Sequence, residues 1–383
     1  MSTQKIGIQV MLNWRKLHRR VHFYLGLSVG LIFVIIGLSG AVLVFYNELD
    51  SSFNLPAIET ASSVADYDTA FVTLGKAYPE KTRSWRFEVN PSSPFISARY
   101  YQPEETADED FAPMMVWLTK DGKQVLRRDF WGQYFATWMY NLHFRLLAGP
   151  IGGIVVGYLG IGCTYILISG LWAWWPKPKH WKKQLSVRHT HNVAVKLYDW
   201  HKLIGLCFAI PLLLLCITGV MLALPEETRR IAAPLLGPAD SPKVTPLASQ
   251  KQNFIPPSEA LQIALTQFDS AVGAWIETPD TNSAKNYYRI RVQVPGDPSR
   301  RFPHTYIYID GSTGQVLETF DYYEQGKLNT MMNWLHPLHD GTLFGIVGRI
   351  FWTLCGVTVF VLFVLGVFRW RYRVTRKERS TPA

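Results

Sequence analysis

The sequence has few cysteines and few charged residues, and its missing motifs exclude several classes of protein. Only 4 of 383 residues are cysteine, and 18% are charged. No CxxCH motif is present for a covalently attached cofactor, and no CxxC motif for zinc binding or thiol redox chemistry. There is also no GxGxxG loop after a strand and no P-loop. The chain itself is therefore not expected to bind nicotinamide, flavin or nucleotide.

Long apolar runs dominate what the sequence does contain. Hydrophobic residues make up 48% of the chain, and four blocks reach the length of about 20 residues that crosses a bilayer as a helix. All four cysteines fall inside these blocks, so the segments between them have no disulfide framework. The sequence therefore predicts a polytopic α-helical membrane protein with a four-helix transmembrane bundle. The predicted spans are Val21–Tyr46, Ile151–Trp175, Leu203–Leu224 and Leu343–Trp370.

Basic residues are concentrated on one side of the predicted helices. Segments 1–22, 173–202 and 367–383 together hold 18 Lys and Arg and two acids, whereas segments 47–141 and 225–342 hold 19 basic and 27 acidic residues. By the positive-inside rule, both termini and the loop after the second helix are expected in the cytoplasm. The net charge of +10 is then a topology signal, and no nucleic acid partner is expected.

The chain also reads as two copies of one pattern. His22-Phe-Tyr-Leu-Gly26 matches His201-Lys-Leu-Ile-Gly205, and eighteen residues after each histidine comes a glycine, Gly40 or Gly219. Before the second and fourth blocks, the segment that ends at His143 matches the segment that ends at His339. These matches predict a two-fold internal repeat, with its axis along the membrane normal because both halves enter from the cytoplasm.

Each segment between the blocks reads as a small α+β domain. Helices are predicted at Asp68–Tyr78 and Pro257–Gln267, and alternating apolar residues predict strands. Those strands are Ser84–Asn90, Ile96–Tyr101, Tyr287–Val294 and Thr305–Asp310, and each set is followed by a turn and a short strand. The predicted order is N-terminus and first span 1–46, first outer domain 47–142, second span 143–175, basic loop 176–200, third span 201–224, second outer domain 225–338, fourth span 339–370 and cytoplasmic tail 371–383.

Four of the ten histidines recur as two symmetric pairs. His22 and His201 begin the first and third spans, while His143 and His339 precede the second and fourth. A twofold axis brings equivalent positions face to face, so each pair can provide the two axial imidazoles of a b-type haem. We therefore predict two non-covalent bis-histidine haem b groups. A single histidine at a membrane surface is usually only an interfacial polar group, but symmetric recurrence of ionisable residues favours function.

The other candidates carry weaker signals. Arg145 and Arg349 are the basic residues outside the loops and the outer domains, and each is a candidate partner for a haem propionate. The alternative for Arg145 is snorkelling to the membrane surface. His336 matches a tyrosine in the other half and His18 has no counterpart, so both are weaker ligand candidates.

Several of these motifs resemble a known family. The His-x-x-[Leu/Ile]-Gly-Leu helix starts, the Leu-His before each second helix, and Thr-Gly-Gln-Val-Leu at the last strand of the second outer domain are similar to the PepSY-associated transmembrane family, from about Trp14 to Arg373. That family includes iron-regulated proteins of the bacterial inner membrane and ferric-siderophore reductases of the ferrioxamine type. The resemblance implies haem between the helices and two periplasmic PepSY domains, and it supports His22, His201, His143 and His339 as ligands.

The favoured interpretation is a haem-containing inner-membrane oxidoreductase. Electrons from an unidentified cytoplasmic donor would reduce a periplasmic ferric siderophore, of the hydroxamate type by resemblance, and release Fe(II) for uptake. Ferric iron is held tightly by oxygen donors, whereas ferrous iron is released more readily. One alternative is a non-enzymatic PepSY membrane regulator or binding protein. Another is a transporter of haem or siderophore.

Overall fold

The computed structural model describes residues 2–54, 64–176, 178–246, 254–280 and 285–379. Short stretches of the predicted outer domains, of the basic loop and of the cytoplasmic tail lie outside the described residues. The chain divides into two compact units. The helical unit comprises Met1–Phe45, Met139–Pro225 and Leu338–Ala383, and the sheet unit comprises Tyr46–Trp138 and Glu226–Pro337.

Helices form all the regular structure of the helical unit and flank the strands of the sheet unit. Short 3₁₀ turns occur at Glu104–Thr106, Pro178–His180 and Thr342–Phe344. In chain order the α-helices are α1 (Ser2–Leu43), α2 (Tyr46–Asn54), α3 (Tyr67–Ala77), α4 (Phe135–Arg145), α5 (Gly149–Trp174), α6 (Trp181–Gln184), α7 (Val193–Cys207), α8 (Ala209–Ala223), α9 (Pro225–Leu236), α10 (Pro257–Leu265), α11 (Lys327–Asp340) and α12 (Gly345–Arg379).

Three helical stretches are long and apolar enough to cross a membrane: Trp14–Leu43, Gly149–Trp174 and Thr342–Thr375. Large apolar side chains on the helices remain exposed, including Ile151 at 73% and Ile210 at 80%. Contiguous apolar surface of this kind is covered by lipid in membrane proteins. The helical unit therefore has the length and the surface of a membrane-spanning body.

The predicted third span is not one straight helix. Helices α7 and α8 pass the same length and hydropathy test only as a pair, and they are bent by 60° at the break between them. The break at Phe208 places Pro211 in the first turn of α8, where its missing N–H leaves no helical hydrogen bond unmade. The prediction of a continuous helix over Leu203–Leu224 is therefore corrected to a bent pair, which makes four spans if the pair counts as one.

The predicted segments 143–175 and 339–370 are each interrupted before the membrane-spanning helix begins. Helix α4 ends at Arg145 and α5 begins at Gly149, and Leu146 and Leu147 between them have positive φ angles of 49° and 58°. Helices α11 and α12 are likewise separated at Gly341, whose φ is 77°. The predicted spans 143–175 and 339–370 each start with the end of a separate short helix. Because α4 and α5 are separate helices, the position of a residue around α5 cannot be derived by counting residues from His143.

The helices of this unit pack closely through small residues and an apolar centre. Helix α1 lies against α5 and α12, α5 against α8, and α12 against α7. Where α1 crosses α12, a side chain on Gly356 would collide with the carbonyl oxygen of Gly37. Small residues that allow two backbones to approach this closely are typical of membrane helix pairs.

The sheet unit contains one antiparallel sheet of eight strands in the order β4-β3-β2-β1-β5-β6-β7-β8. Its middle is the pairing of β1 with β5, in which Arg86 lies opposite Glu277. The expectation of two separate small domains is therefore corrected, because both segments contribute four strands to one sheet. The strands are β1 (Trp85–Glu88), β2 (Phe95–Tyr100), β3 (Met114–Thr119), β4 (Val125–Phe130), β5 (Val272–Glu277), β6 (Tyr287–Gln293), β7 (Thr305–Asp310) and β8 (Val316–Phe320).

Strands β3 and β5 were not predicted from the sequence, and their burial explains why. Four consecutive residues of β5 and five of β3 are buried, so neither strand alternates between apolar and polar side chains. Helices α3 and α10 cover one face of the sheet and form its main apolar core. That core includes Leu74, Phe87, Ile276, Ile290 and Ile307, all fully buried.

We expect Thr278→Val to destabilise the sheet unit. The backbone N–H of Trp85 donates to Thr278 Oγ1 at 2.9 Å, and Thr278 is 1% exposed. Valine has nearly the same shape but leaves this buried donor unsatisfied, at a cost of about 1–3 kcal/mol. The melting temperature of the purified chain in detergent should fall by about 2–10 °C. Thr319→Val, on the outer strand β8, is the matched control and should melt within about 1 °C of wild type.

Candidate histidine-pair site

The four predicted histidines form two facing pairs in the helical unit. The rings of His22 on α1 and His201 on α7 have centroids 6.4 Å apart and planes at 88°. The rings of His143 on α4 and His339 on α11 have centroids 6.1 Å apart and planes at 47°. The structure therefore brings together the two pairs that the sequence repeat predicted, while their role as ligands stays a prediction.

Each histidine ring lies edge-on against a glycine of a neighbouring helix. If these glycines carried a Cβ atom, it would lie 3.8 Å or less from the Cε1 atom of the imidazole. The distances are 2.7 Å for Gly40 against His143, 3.0 Å for Gly170 against His22, 3.0 Å for Gly219 against His339 and 3.8 Å for Gly366 against His201. The first three positions have no room for a side chain unless the imidazole moves.

The same helix stretch that carries the glycine also accepts a hydrogen bond from the ring. The Nδ1 atom of His22 lies 3.0 Å from the carbonyl of Ile166, four residues before Gly170. Carbonyls at the same offset lie 2.8 Å from His143 Nδ1, in Ile36, and 2.9 Å from His201 Nδ1, in Leu362. We call each glycine, with the four residues before it, a histidine socket.

A hydroxyl completes three of the four sockets. Ser169 Oγ lies 3.2 Å from His22 Nδ1, and Ser39 Oγ lies 3.3 Å from His143 Nδ1. Thr218 Oγ1 lies 3.0 Å from His339 Nδ1, and because its own hydrogen is donated to Leu214 it accepts here. In the Gly366 socket the position before the glycine is Leu365, which offers no hydroxyl.

These contacts determine the tautomer of each imidazole. A carbonyl oxygen only accepts, so Nδ1 of His22, His143 and His201 carries the hydrogen and Nε2 of each keeps an unshared electron pair. In His339 the acceptor is the Thr218 hydroxyl. Histidines that bind a metal through one nitrogen usually donate the other N–H to a carbonyl in this way.

The surroundings of the pairs limit what they can hold. In the described part of the chain, no group of three or more His, Cys, Asp or Glu side chains could hold a metal ion. A metal between two of these histidines would need its remaining ligands from another molecule. Between the pairs lies an apolar cluster that includes Val34, Leu212, Cys355 and Val359, and it keeps water out of the middle of the unit.

A family model described as the PepSY-associated TM region matches residues 19–373. The chain belongs to this family. The match covers all four histidines of the two pairs and all four glycines of the sockets, and it begins one residue after His18. No curated protein matches the chain.

In this PepSY-associated TM chain, Arg349 has a different set of contacts from the one predicted. Its Nη2 and Nε atoms donate to the carbonyl of Val44 at 2.7 and 3.2 Å, and its guanidinium lies over Phe45 at 4.4 Å. Val44 follows the last residue of α1, where carbonyls lack helical partners and a positive charge is favourable. Arg349 therefore caps the end of α1, and a role with a propionate stays a prediction.

Arg145 and the two weaker histidine candidates have contacts of their own outside the two pairs. The Arg145 guanidinium lies 5.7 Å from the Phe144 ring at the end of α4. His18 bonds through Nδ1 to the hydroxyl of Tyr165 at 2.8 Å. His336 belongs to the sheet unit, where its ring packs beside Phe302 at 5.5 Å. Neither histidine faces another histidine in the described residues.

A buried charge cluster next to His201 was missed by the sequence reasoning. Asp199 is fully buried and accepts from the backbone N–H and guanidinium of Arg188 at 2.9–3.1 Å, and from Lys202 at 3.3 Å. Arg188 comes from the basic loop, so the cluster attaches that loop to α7. Only Trp200 separates Asp199 from His201, and the sequence signal is that Asp199 is the one acid in segment 173–202.

We expect Asp199→Asn to lower the stability of the helical unit by about 3 kcal/mol or more, because it leaves the buried Lys202 ammonium without a counter-charge. Thermal melting in detergent measures the loss, and trypsin cleavage within the basic loop should become faster. Arg188 is half exposed, so Arg188→Gln is the comparison and should cost less. Equal melting temperatures for Asp199→Asn and wild type would contradict a stabilising role for the cluster.

Proposed function

We propose that this PepSY-associated TM protein is a haem-containing oxidoreductase of the bacterial inner membrane. It would pass electrons from a cytoplasmic donor to a ferric siderophore in the periplasm and release Fe(II) for uptake. The observation that carries the proposal is the arrangement of the four histidines as two facing pairs, with each ring held by a socket through Nδ1.

The spacing of the rings fits an iron ion between them. An ion with an imidazole nitrogen at about 2 Å on either side holds the two ring centroids about 6 Å apart. The two pairs have centroid separations of 6.4 and 6.1 Å. A porphyrin provides four of the six ligands of its iron and needs only two from the protein. This requirement matches pairs that have no third protein ligand nearby.

The residues of the chain have separate tasks in this proposal. His22 and His201 would hold one haem b, and His143 and His339 the other. The sockets fix the ring orientation and keep the hydrogen on Nδ1. A Cβ on Gly26, one turn after His22, would meet nothing within 4 Å, which leaves space beside the ring for a flat group. When bound, each haem would supply a one-electron redox centre.

The position of the pairs along the helices suits transfer across a membrane. Eighteen residues of α1 separate His22 from Gly40, the glycine that contacts His143, which is about 27 Å of helix. That length is close to the hydrocarbon thickness of a bilayer, about 30 Å. One pair would therefore lie near each membrane surface, and the apolar cluster between them excludes water.

The proposed membrane topology rests on the charge pattern, and the proposed duplication rests on the repeat. The distribution of basic residues supports a cytoplasmic position for both termini and for the loop after α5, and with it a periplasmic position for the segments of the sheet unit. The matching sockets support a duplicated half of the chain, in which each outer segment would be one PepSY half of the shared eight-stranded sheet. The substrate would be a hydroxamate-type ferric siderophore, whose iron binds oxygen donors less tightly once reduced. The donor is an unidentified cytoplasmic molecule, since the chain has no nucleotide-binding motif.

The visible spectrum of the purified protein tests the cofactor. Protein expressed with ample porphyrin should show a sharp Soret band, an α band on reduction, and about two haems per chain. His22→Ala and His201→Ala should each remove one haem, and His143→Ala and His339→Ala the other. A colourless protein would contradict the proposal and would favour a non-enzymatic PepSY regulator. Loss of the same haem in His22→Ala and His143→Ala would contradict the pairing.

Alanine substitutions of the socket glycines test the geometry separately. In Gly40→Ala, Gly170→Ala and Gly219→Ala, the new methyl group would lie within about 3 Å of the imidazole, so each should reduce its haem content by at least half. Gly366→Ala is the matched control because 3.8 Å is ordinary contact distance, and it should keep both haems. Equal loss in all four variants would show that the sockets act only in folding.

The activity itself is tested by anaerobic mixing of the reduced protein with ferric hydroxamates. Reoxidation of the haem spectrum, with Fe(II) trapped by a ferrous chelator in equal amount, is the expected result. If the spectrum is bis-histidine but no ferric chelate reoxidises it, the haems are present and the proposed substrate is wrong. A transporter would move the intact chelate across a vesicle membrane without producing Fe(II).

A further inference from the structure

The face of the sheet opposite the apolar core carries a row of arginines. Cross-strand pairs in an antiparallel sheet point to the same side. Arg86 on β1 lies opposite Arg99 on β2 and opposite Glu277 on β5, and Glu277 lies opposite Arg289 on β6. We call the arginine face the surface formed by Arg86, Arg99, Arg289 and Arg291 together with Trp275, Glu277, Tyr306 and Tyr308, which lie beside them on β5 and β7.

Aromatic rings hold these guanidinium groups in place. Trp275 is 1% exposed, with Arg86 over its ring at 4.5 Å and Arg99 at 4.8 Å. Arg291 lies over the Tyr306 ring at 4.5 Å and donates to the hydroxyl of that tyrosine. Guanidinium groups stacked in this way keep their planar edges available for hydrogen bonds to another group.

The positive charge of the arginine face is not balanced by its own carboxylates. Arg289 is paired with Glu277, and Glu88 on the same side of β1 bonds to Ser97. Among the described residues, Arg86, Arg99 and Arg291 have no carboxylate within 4 Å, and the buried Nε atoms of Arg86 and Arg291 have no hydrogen-bond partner. Burying a charge without a partner is costly, so an anion at this face would be strongly favoured.

The pKa values of two groups at the arginine face reflect its positive electrostatic potential. Burial, with help from Arg86 and Arg289, lowers the pKa of the Arg291 guanidinium to about 10. Burial alone would raise the pKa of the Tyr101 phenol, but Arg86 and Arg99 outweigh it and the pKa is lowered. Both effects have the direction expected beside clustered cations that lack a counter-ion.

A cavity adjoins the arginines at the strand that carries Arg289. Its volume is about 260 Å³, and Glu277, Arg289 and Tyr308 of the arginine face form part of its wall. Pro242 and Val244, from the segment after α9, and Lys285, from the start of β6, contribute to the rest. The cavity is thus lined mainly by polar and charged side chains, with Pro242 and Val244 as its apolar part.

We infer that the arginine face and this cavity bind a small polycarboxylate. Guanidinium groups bind carboxylates through two parallel hydrogen bonds. The Cβ atoms of arginines that lie opposite one another on adjacent strands are about 5 Å apart. A ligand with two or three carboxylates on a short skeleton therefore fits, whereas a cation is repelled. The site lies wholly in the sheet unit and does not rest on the proposed haem chemistry.

Isothermal titration calorimetry of the full-length protein in detergent tests this inference, with citrate as the probe and ferric citrate in a second arm. Wild type should bind citrate with saturable heat and with an affinity that falls as NaCl is raised. Arg291→Gln and Arg86→Gln should each weaken binding at least tenfold, and Arg291→Lys less than Arg291→Gln. Arg128→Gln, an exposed arginine on the outer strand β4, is the matched control and should bind like wild type.

Thermal melting of wild type provides a measurement that needs no variant. Bound citrate should raise the melting temperature, since a ligand that binds only the folded state stabilises it, and the diamine putrescine should not. Absence of saturable binding in both arms would overturn the inference, as would unchanged affinity in both glutamine variants. Binding of ferric citrate without binding of citrate would show that the ligand is a metal chelate, and would overturn the inference of a free polycarboxylate. Haem content is measured in the same samples, so failure here is distinguishable from failure of the proposed reductase.

Discussion

The arrangement of the helical unit depends on one hydrogen bond, made from an imidazole Nδ1 to a helix carbonyl. In an α-helix the carbonyl four residues before a glycine already accepts the N–H of that glycine. Its second lone pair is still available, but the side chain four residues later normally shields it. Glycine removes that side chain, so an imidazole from another helix can reach the carbonyl. His22, His143 and His201 are all held in this way.

This one interaction links helix packing to chemistry. Because the socket occupies Nδ1 of His22, His143 and His201, Nε2 is the nitrogen of these rings that keeps an unshared electron pair. Because the socket requires a glycine, the helices also approach closely at that level. The two histidine pairs are separated by about 27 Å of helix. This distance is comparable to the hydrocarbon thickness of a bilayer. The sheet unit is built differently. One face of its sheet carries the apolar core, and the other carries guanidinium groups stacked on aromatic rings.

Much of the site could be predicted because the chain is repetitive. His22 with His201, and His143 with His339, were found from equal spacing alone, and Ser39-Gly40 and Thr218-Gly219 were visible in the repeat. The role of those glycines was not predictable, since they contact the histidines of the other pair rather than a cofactor beside their own helix. Gly170 was not predicted because its helical angle falls opposite His143 when one continuous helix is assumed. The break between α4 and α5, with positive φ angles at Leu146 and Leu147, makes that angle meaningless.

The sheet was predicted only where the residues of a strand alternate in sequence, as Tyr and Ile do in β7. Strand β7 was predicted at the observed bounds, Thr305–Asp310. Strands β3 and β5 have both faces buried, so they lack the alternation that identifies a strand. The joining of β1 to β5 depends on contacts between residues about 190 positions apart, which a local pattern does not encode. The bend at Phe208 was missed because Pro211 is compatible with the first turn of a helix as well as with a break.

Electron paramagnetic resonance of the oxidised protein tests the account most directly, because it reports the axial ligands and the angle between their planes. Paired imidazoles give low-spin ferric haem, and the signal becomes more anisotropic as the two ring planes approach perpendicular. The rings of one pair lie at 88° and those of the other at 47°. The account predicts two low-spin signals, of which the more anisotropic disappears in His201→Ala and the other in His339→Ala. High-spin signals alone, or no haem signal, would contradict it.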